Sequence, residues 1–265
     1  MFVNLQNKFM RRSNFKILIF IFSFLILFSC SKDDDSDDII NDPRAENIKA
    51  LGTSAEDLLS DDIYDKLMVE FAYTAGFRPL QETIDTFRQF LEQRLNKPGS
   101  IIFVETEIIT PLVETQSISD IRDIEADQRT KYTDGDTIAV FVYFSHANSE
   151  NDTETSKTLG TAYYNTSLVV FEQTLLDLAS LPVFDLFILE ATTFQHEFGH
   201  LLGLVNLVDD DIHENHEDNV HSNHCIVEEC LMYFESNNSN SFKNKISVPV
   251  LDPLCIEDLQ AKGGK

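Results

Sequence analysis

The sequence predicts an α+β domain: a mixed β-sheet and one long buried helix. Three observations predict it. Segments with a two-residue apolar period flank a segment with a 3.6-residue period. Thr137 to Phe144 is apolar at nearly every position, as a central strand buried on both faces must be. Val183 to Val205 is a longer apolar run, too long for a strand, and reads as a buried helix.

Taken in order, the chain opens on a targeting segment. Lys8, Arg11, Arg12 and Lys16 precede an apolar core from Ile17 to Phe28. A basic head and a short apolar core read as a secretory signal, too short for a comfortable membrane span. Leu27-Phe28-Ser29-Cys30 resembles a bacterial lipobox, which implies lipidation of Cys30 and a signal peptide of 1–29. The acidic run Asp33 to Asp38 reads as a solvated tether. It also resembles the acidic signals that send some lipoproteins to the outer face of the outer membrane. We place the tether at 30–60 and the folded domain at 61–265, divided near 203 into an upper and a lower part.

Within the domain, Leu67, Val69, Phe71 and Tyr73 alternate as one face of a strand. Pro79 opens a helix with Leu80, Ile84, Phe87, Leu91 and Leu95 on one stripe, and Lys97-Pro98-Gly99 stops it. Ile101 to Ile109 is a second strand. Residues 110–136 are polar and irregular, as is the loop after Phe144. Gly160–Tyr164 and Ser167–Phe171 read as paired short strands around Asn165-Thr166. After the buried helix comes a charged, His-rich insert. Leu251–Ala261 makes a terminal helix that starts at Asp252-Pro253.

The formal net charge is −25. A chain this acidic does not hold nucleic acid through its phosphates. It stays soluble when crowded at a surface.

The buried helix carries Gln195-His196-Glu197-Phe198-Gly199-His200, which contains H-E-x-x-H. On a helix, positions i and i+4 lie about 40° apart on one face, roughly 6 Å from each other. Two imidazoles so placed can hold one Zn²⁺ from the same side, with Glu197 facing the open position as general base. Gly203 completes H-E-x-x-H-x-x-G; glycine there takes φ > 0 and stops the helix.

With His224-Cys225 and Cys230-Leu231-Met232 further on, the chain resembles the metzincin clan of zinc peptidases, and within it the archaemetzincins. The resemblance implies a metzincin-like mixed sheet with a zinc-binding active-site helix and a small C-terminal subdomain, a metalloendopeptidase acting on protein or peptide substrates, and a Met-turn at Met232. It also implies an edge strand near Gly160 to which an extended peptide can add. Two departures stand out: Asn206 occupies the position of the clan's third histidine, and only Cys255 lies where a C-x-x-C is expected.

A catalytic zinc needs three protein ligands and an open position. His196 and His200 are two. The resemblance favours His224 as the third, with His221 and His216 as alternatives. Zinc lowers the pKa of a water toward about 7, and Glu197 would take that proton and pass it to the leaving amine. For an exported chain with Cys225, Cys230 and Cys255 after the lipidated residue, a Cys225–Cys230 disulfide is expected. The rival is a second, structural zinc on the three cysteines and a nearby histidine. The functional expectation is a monomeric, lipid-anchored zinc endopeptidase in the periplasm or at the cell surface. The alternative is an inactive protein of the same fold that serves as a surface binding protein.

Overall fold

A computed structural model describes residues 42–234, 242 and 245–265. The signal peptide, lipidation at Cys30 and the acidic run lie outside the described residues. A five-stranded sheet has the order β2 (Ser100–Glu107), β1 (Lys66–Tyr73), β4 (Thr137–Phe144), β7 (Ser167–Val170), β6 (Gly160–Tyr164). β2, β1, β4 and β7 run parallel, while β6 is antiparallel to β7 and ends the sheet. β3 (Thr115–Gln116) and β5 (Asn148–Ser149) form a separate two-residue ladder. The mixed sheet, and the boundaries of its main strands, agree with the alternation in the sequence.

The two faces of the sheet are covered by different helices. Leu67, Val69 and Phe71 of β1, with Val140, Val142 and Phe144 of β4, pack on α2 (Gln81–Arg94), α4 (Glu172–Ala179) and α5 (Leu186–Leu201). Ala72, Phe141, Tyr143 and Val169 point the other way, onto Ile121 of α3 (Ile118–Gln128). Phe87 of α2 stacks on Phe194 of α5 at 3.8 Å between ring centroids, and Phe71 meets Phe194 edge-on at 5.8 Å. These rings fix α5 against the sheet. They explain why every residue from Ile188 to Leu201 is buried: the helix has neighbours all round and needs no polar face.

Three expectations are corrected. Residues 110–136 are not all irregular, because α3 lies within them. Ser117 and Asp120 form a reciprocal cap, with Asp120 N donating to Ser117 Oγ at 3.1 Å and Ser117 N to Asp120 Oδ2 at 2.8 Å. Only Ile121 and Glu125 of this helix are buried, so its apolar stripe is too thin to show as a period. Second, residues 45–60 are not tether. Leu58 and Leu59 of α1 (Ala55–Leu59) are fully buried, and Asn47 bonds Ala139 O and Thr166 Oγ1, both at 2.9 Å. Third, the apolar run 183–205 yields a shorter helix, preceded by the separate α4.

Candidate metal centre

Asp185 caps α5 by accepting Ile188 N at 3.1 Å. The helix ends at Gly203, whose φ of +75° turns the chain back. That turn brings Leu204 O to within 3.3 Å of His200 Nδ1. One turn earlier, His196 Nδ1 lies 2.8 Å from Leu231 O. Each ring therefore spends Nδ1 on a carbonyl and turns Nε2 toward the other.

His224 completes the group. Its Nδ1 lies 2.9 Å from Ser222 O, and its ring centroid is 5.3 Å from that of His196 and 5.2 Å from that of His200. One nitrogen from each of the three lies within 4.8 Å of the others. Burial holds His196 down, to about 4, with His224 adding to the effect, and holds His200 well below the usual range. Burial lowers His224 as well. All three are neutral at pH 7, which leaves their lone pairs free for a cation. His196 Nε2 is buried with no hydrogen-bond partner. A buried acceptor with nothing to accept from is costly unless a ligand fills the space. Three imidazoles with carbonyl-anchored second nitrogens are the donor set of a zinc site with an open position. The residues fit Zn²⁺.

Glu197 sits beside this group, on the side of the sheet edge. Its Oε2 accepts Ala162 N of β6 at 2.8 Å. Burial pushes its carboxyl up, to about 8, while the Ala162 N–H favours the charged form. Gly160 makes room for it: a Cβ there would stand 2.7 Å from Glu197 Cγ. Gly199 does the same for Met232, whose Sδ occupies the space a Cβ would need. Met232 is fully buried against α5.

The other expected ligands lie elsewhere. His221 stacks on Phe234 at 3.6 Å and bonds Asp218 Oδ2 at 2.8 Å. Asn206 Nδ2 reaches Glu217 Oε2 at 3.3 Å. His216 belongs to a second group, with Cys225, Asp252 and Cys255. Its Nδ1 is 3.6 Å from Cys225 Sγ and 3.7 Å from Cys255 Sγ, and its Nε2 is held by Asp258 Oδ2 at 2.9 Å. Cys230 Sγ is 3.7 Å from Cys255 Sγ.

None of the three cysteines is joined in a disulfide, so the expected Cys225–Cys230 bond is not made. The reason is convergence: the Cys225 and Cys255 sulfurs turn toward a shared centre with His216, and Cys230 lies against Cys255. Hydrogen bonds from Cys230 and Cys255 pull Cys225 down, to about 3, and donating to it raises the other two. Bonding to Asp252, then to Cys225, raises His216 to about 10. A thiolate pressed on an imidazolium is the arrangement that a soft divalent cation replaces by displacing protons. The buried His and Cys donors fit a second Zn²⁺.

The two groups share a wall. His224 and Cys225 are consecutive and point to different centres. Cys230, Leu231 and Met232 are consecutive too, giving in turn a thiol to the second group, a carbonyl to His196 and a side chain to Gly199. H-E-x-x-H announces the first group in the sequence. His216 and Asp252 of the second carry no comparable signal, since 36 residues separate them and no fixed spacing joins them.

No protein-family profile matches the sequence, and no curated protein matches it. Among solved structures, an archaemetzincin from Methanopyrus kandleri is similar at 16% identity and a TM-score of 0.48, covering 75% of this chain and 96% of that one. A zinc-dependent peptidase from Methanocorpusculum labreanum is similar at 14% identity and a TM-score of 0.40, covering 72% of this chain and 99% of that one.

Proposed function

We infer that the chain is a zinc-dependent endopeptidase. The observation that carries this reading is the juxtaposition of three neutral, convergent imidazoles with a buried carboxylate that is not among the convergent donors. A site built only to hold zinc has no use for that carboxylate. When bound, zinc polarises the scissile carbonyl and lowers the pKa of a water toward about 7.

The chain's own residues supply the rest. His196, His200 and His224 hold the ion, each oriented by the carbonyl on its Nδ1. Glu197, oriented by Ala162 N–H, takes the water's proton and delivers it to the leaving amine. The outer edge of β6, next to Glu197, supports the reading that an extended peptide adds there as a further strand. His216, Cys225, Cys255 and Asp252, with Cys230 beside them, would hold a structural zinc that stiffens the segment carrying Leu231 O. The leader and Cys30 support export and lipid anchoring at the outer membrane, with the protein acting there as a monomer. Unfolded casein tests the activity: a chelator should stop cleavage and added zinc should restore it. A zinc-loaded chain that leaves casein and a broad peptide library intact would favour the surface binding protein instead.

A further inference from the structure

Acids outnumber bases 45 to 20 in this chain, so a buried cation with no partner stands out. Arg78 holds Glu105 at 2.6 Å and Arg129 holds Glu125 at 2.7 Å. Arg88 and Arg122, without a carboxylate, each donate to a carbonyl and lie over a ring. Arg94, in the last turn of α2, has none of these partners. Its Nε is buried and has no hydrogen-bond partner, and desolvation alone lowers its pKa, with no anion opposing it. Gln195, on α5, is nine-tenths buried, and its Nε2 is also without a partner.

Arg94 and Gln195 both line one cavity of about 160 Å³, between α2, α5 and the segment Val248–Leu251. Gln89 adds another amide at the wall, and Phe90, Leu231 and Val250 make the wall apolar. No carboxylate lines it among the described residues. A pocket free of acids is unexpected in so acidic a protein, and among the described residues Arg94 is the arginine whose Nε is buried without a partner.

We propose that this cavity binds a carboxylate carried on a short apolar stem, with Arg94 and Gln195 as its donors. A guanidinium presents a planar fork that matches two carboxylate oxygens, and an amide N–H adds a third direction. One cation calls for one negative charge, which favours a carboxylate over a phosphate dianion. The apolar wall suits a hydrocarbon stem. The site lies on the side of α5 that faces α2, away from the β6 edge that Glu197 faces. It is nonetheless joined to the metal centre: Gln195 precedes His196 in the chain, and Leu231 both lines the cavity and holds His196 Nδ1 through its carbonyl. The proposal does not depend on peptidase activity.

The test uses the full chain, zinc-loaded, with butyrate as probe and butyramide as the uncharged control, followed by calorimetry and NMR. Butyrate should bind saturably and butyramide should not. Arg94→Met, which keeps the stem and removes the fork, should weaken butyrate at least about tenfold. Arg94→Lys should fall between the two. Two N-acetylated dipeptides separate the sources of the carboxylate: one with a free C-terminus, and one amidated with an aspartate side chain. Whichever binds and loses affinity in Arg94→Met names the source. Equal binding of butyrate to wild type and Arg94→Met overturns the proposal, as does no saturable binding of any acid to wild type. If Arg94→Met does not fold, the wild-type contrast between butyrate and butyramide decides.

Discussion

Replacing Glu197 with Gln isolates the chemistry from metal binding. Gln has the same size, and its Oε1 can accept Ala162 N–H as Glu197 Oε2 does at 2.8 Å. That bond fixes the amide's direction: with the oxygen on Ala162, the NH₂ faces the side where the carboxylate would meet a water. A donor then stands where a base is needed. Nothing in the positions of His196, His200 or His224 changes, so the zinc content should stay that of wild type. General-base assistance is typically worth 10²–10⁴-fold, or about 3–5 kcal/mol at the barrier. The assay is kcat/KM on a fluorogenic peptide beside zinc stoichiometry on the same preparation. His200→Ala is the contrast, since it should lose metal and activity together. Hydrolysis by Glu197→Gln within a factor of a few of wild type would refute the assigned base. Loss of zinc in that variant would make Glu197 a ligand.

Gly160→Ala should lower peptide cleavage on the order of 10²-fold with zinc retained, because the new Cβ would stand 2.7 Å from Glu197 Cγ and 2.8 Å from Thr193 Cγ2; unchanged kinetics would show that Glu197 has slack. Zinc measured by plasma emission should be about two per chain and fall to about one in His216→Ala with Cys255→Ser; one per chain in wild type, with a peptide map showing Cys225 linked to Cys230, would restore the disulfide. Glu172 and Glu190 are buried together, and burial raises both, with Glu190 raising Glu172 further. Their folded pKa values lie above the unfolded ones, so this contribution is full below the ordinary carboxyl range and is lost as pH rises through the raised values. Glu172→Gln should therefore flatten the fall of Tm as pH rises above the ordinary carboxyl range, and an unchanged slope would count against a raised Glu172. Asn47→Ala should cost about 2–4 kcal/mol in urea unfolding, because it strips partners from Ala139 O, Thr133 N and Thr166 Oγ1; a loss under about 0.5 kcal/mol would mean the lead-in is not docked.

The sequence by itself determined whatever depends on spacing along one element. His196 and His200 are one helical turn apart and Glu197 follows the first, so the common face of the two imidazoles and the offset of the carboxylate follow from the helix alone. The parallel strands Lys66–Tyr73 and Thr137–Phe144 were legible because burial imposes a period or a continuous apolar run. Gly203 marked the end of the helix because a positive φ favours glycine. Tertiary structure decided the rest. His224, His221 and His216 share one insert and are chemically the same, and no local rule ranks them. Only the folded chain puts His224 beside His196, His221 on Phe234 and His216 against two thiols. The cysteines behave likewise, since pairing or convergence depends on where Asp252 and the terminal helix dock. The unpartnered Arg94 is invisible in the sequence for the same reason: an absent anion is a property of three-dimensional neighbours, and residues 94 and 195 become neighbours only when α2 packs on α5.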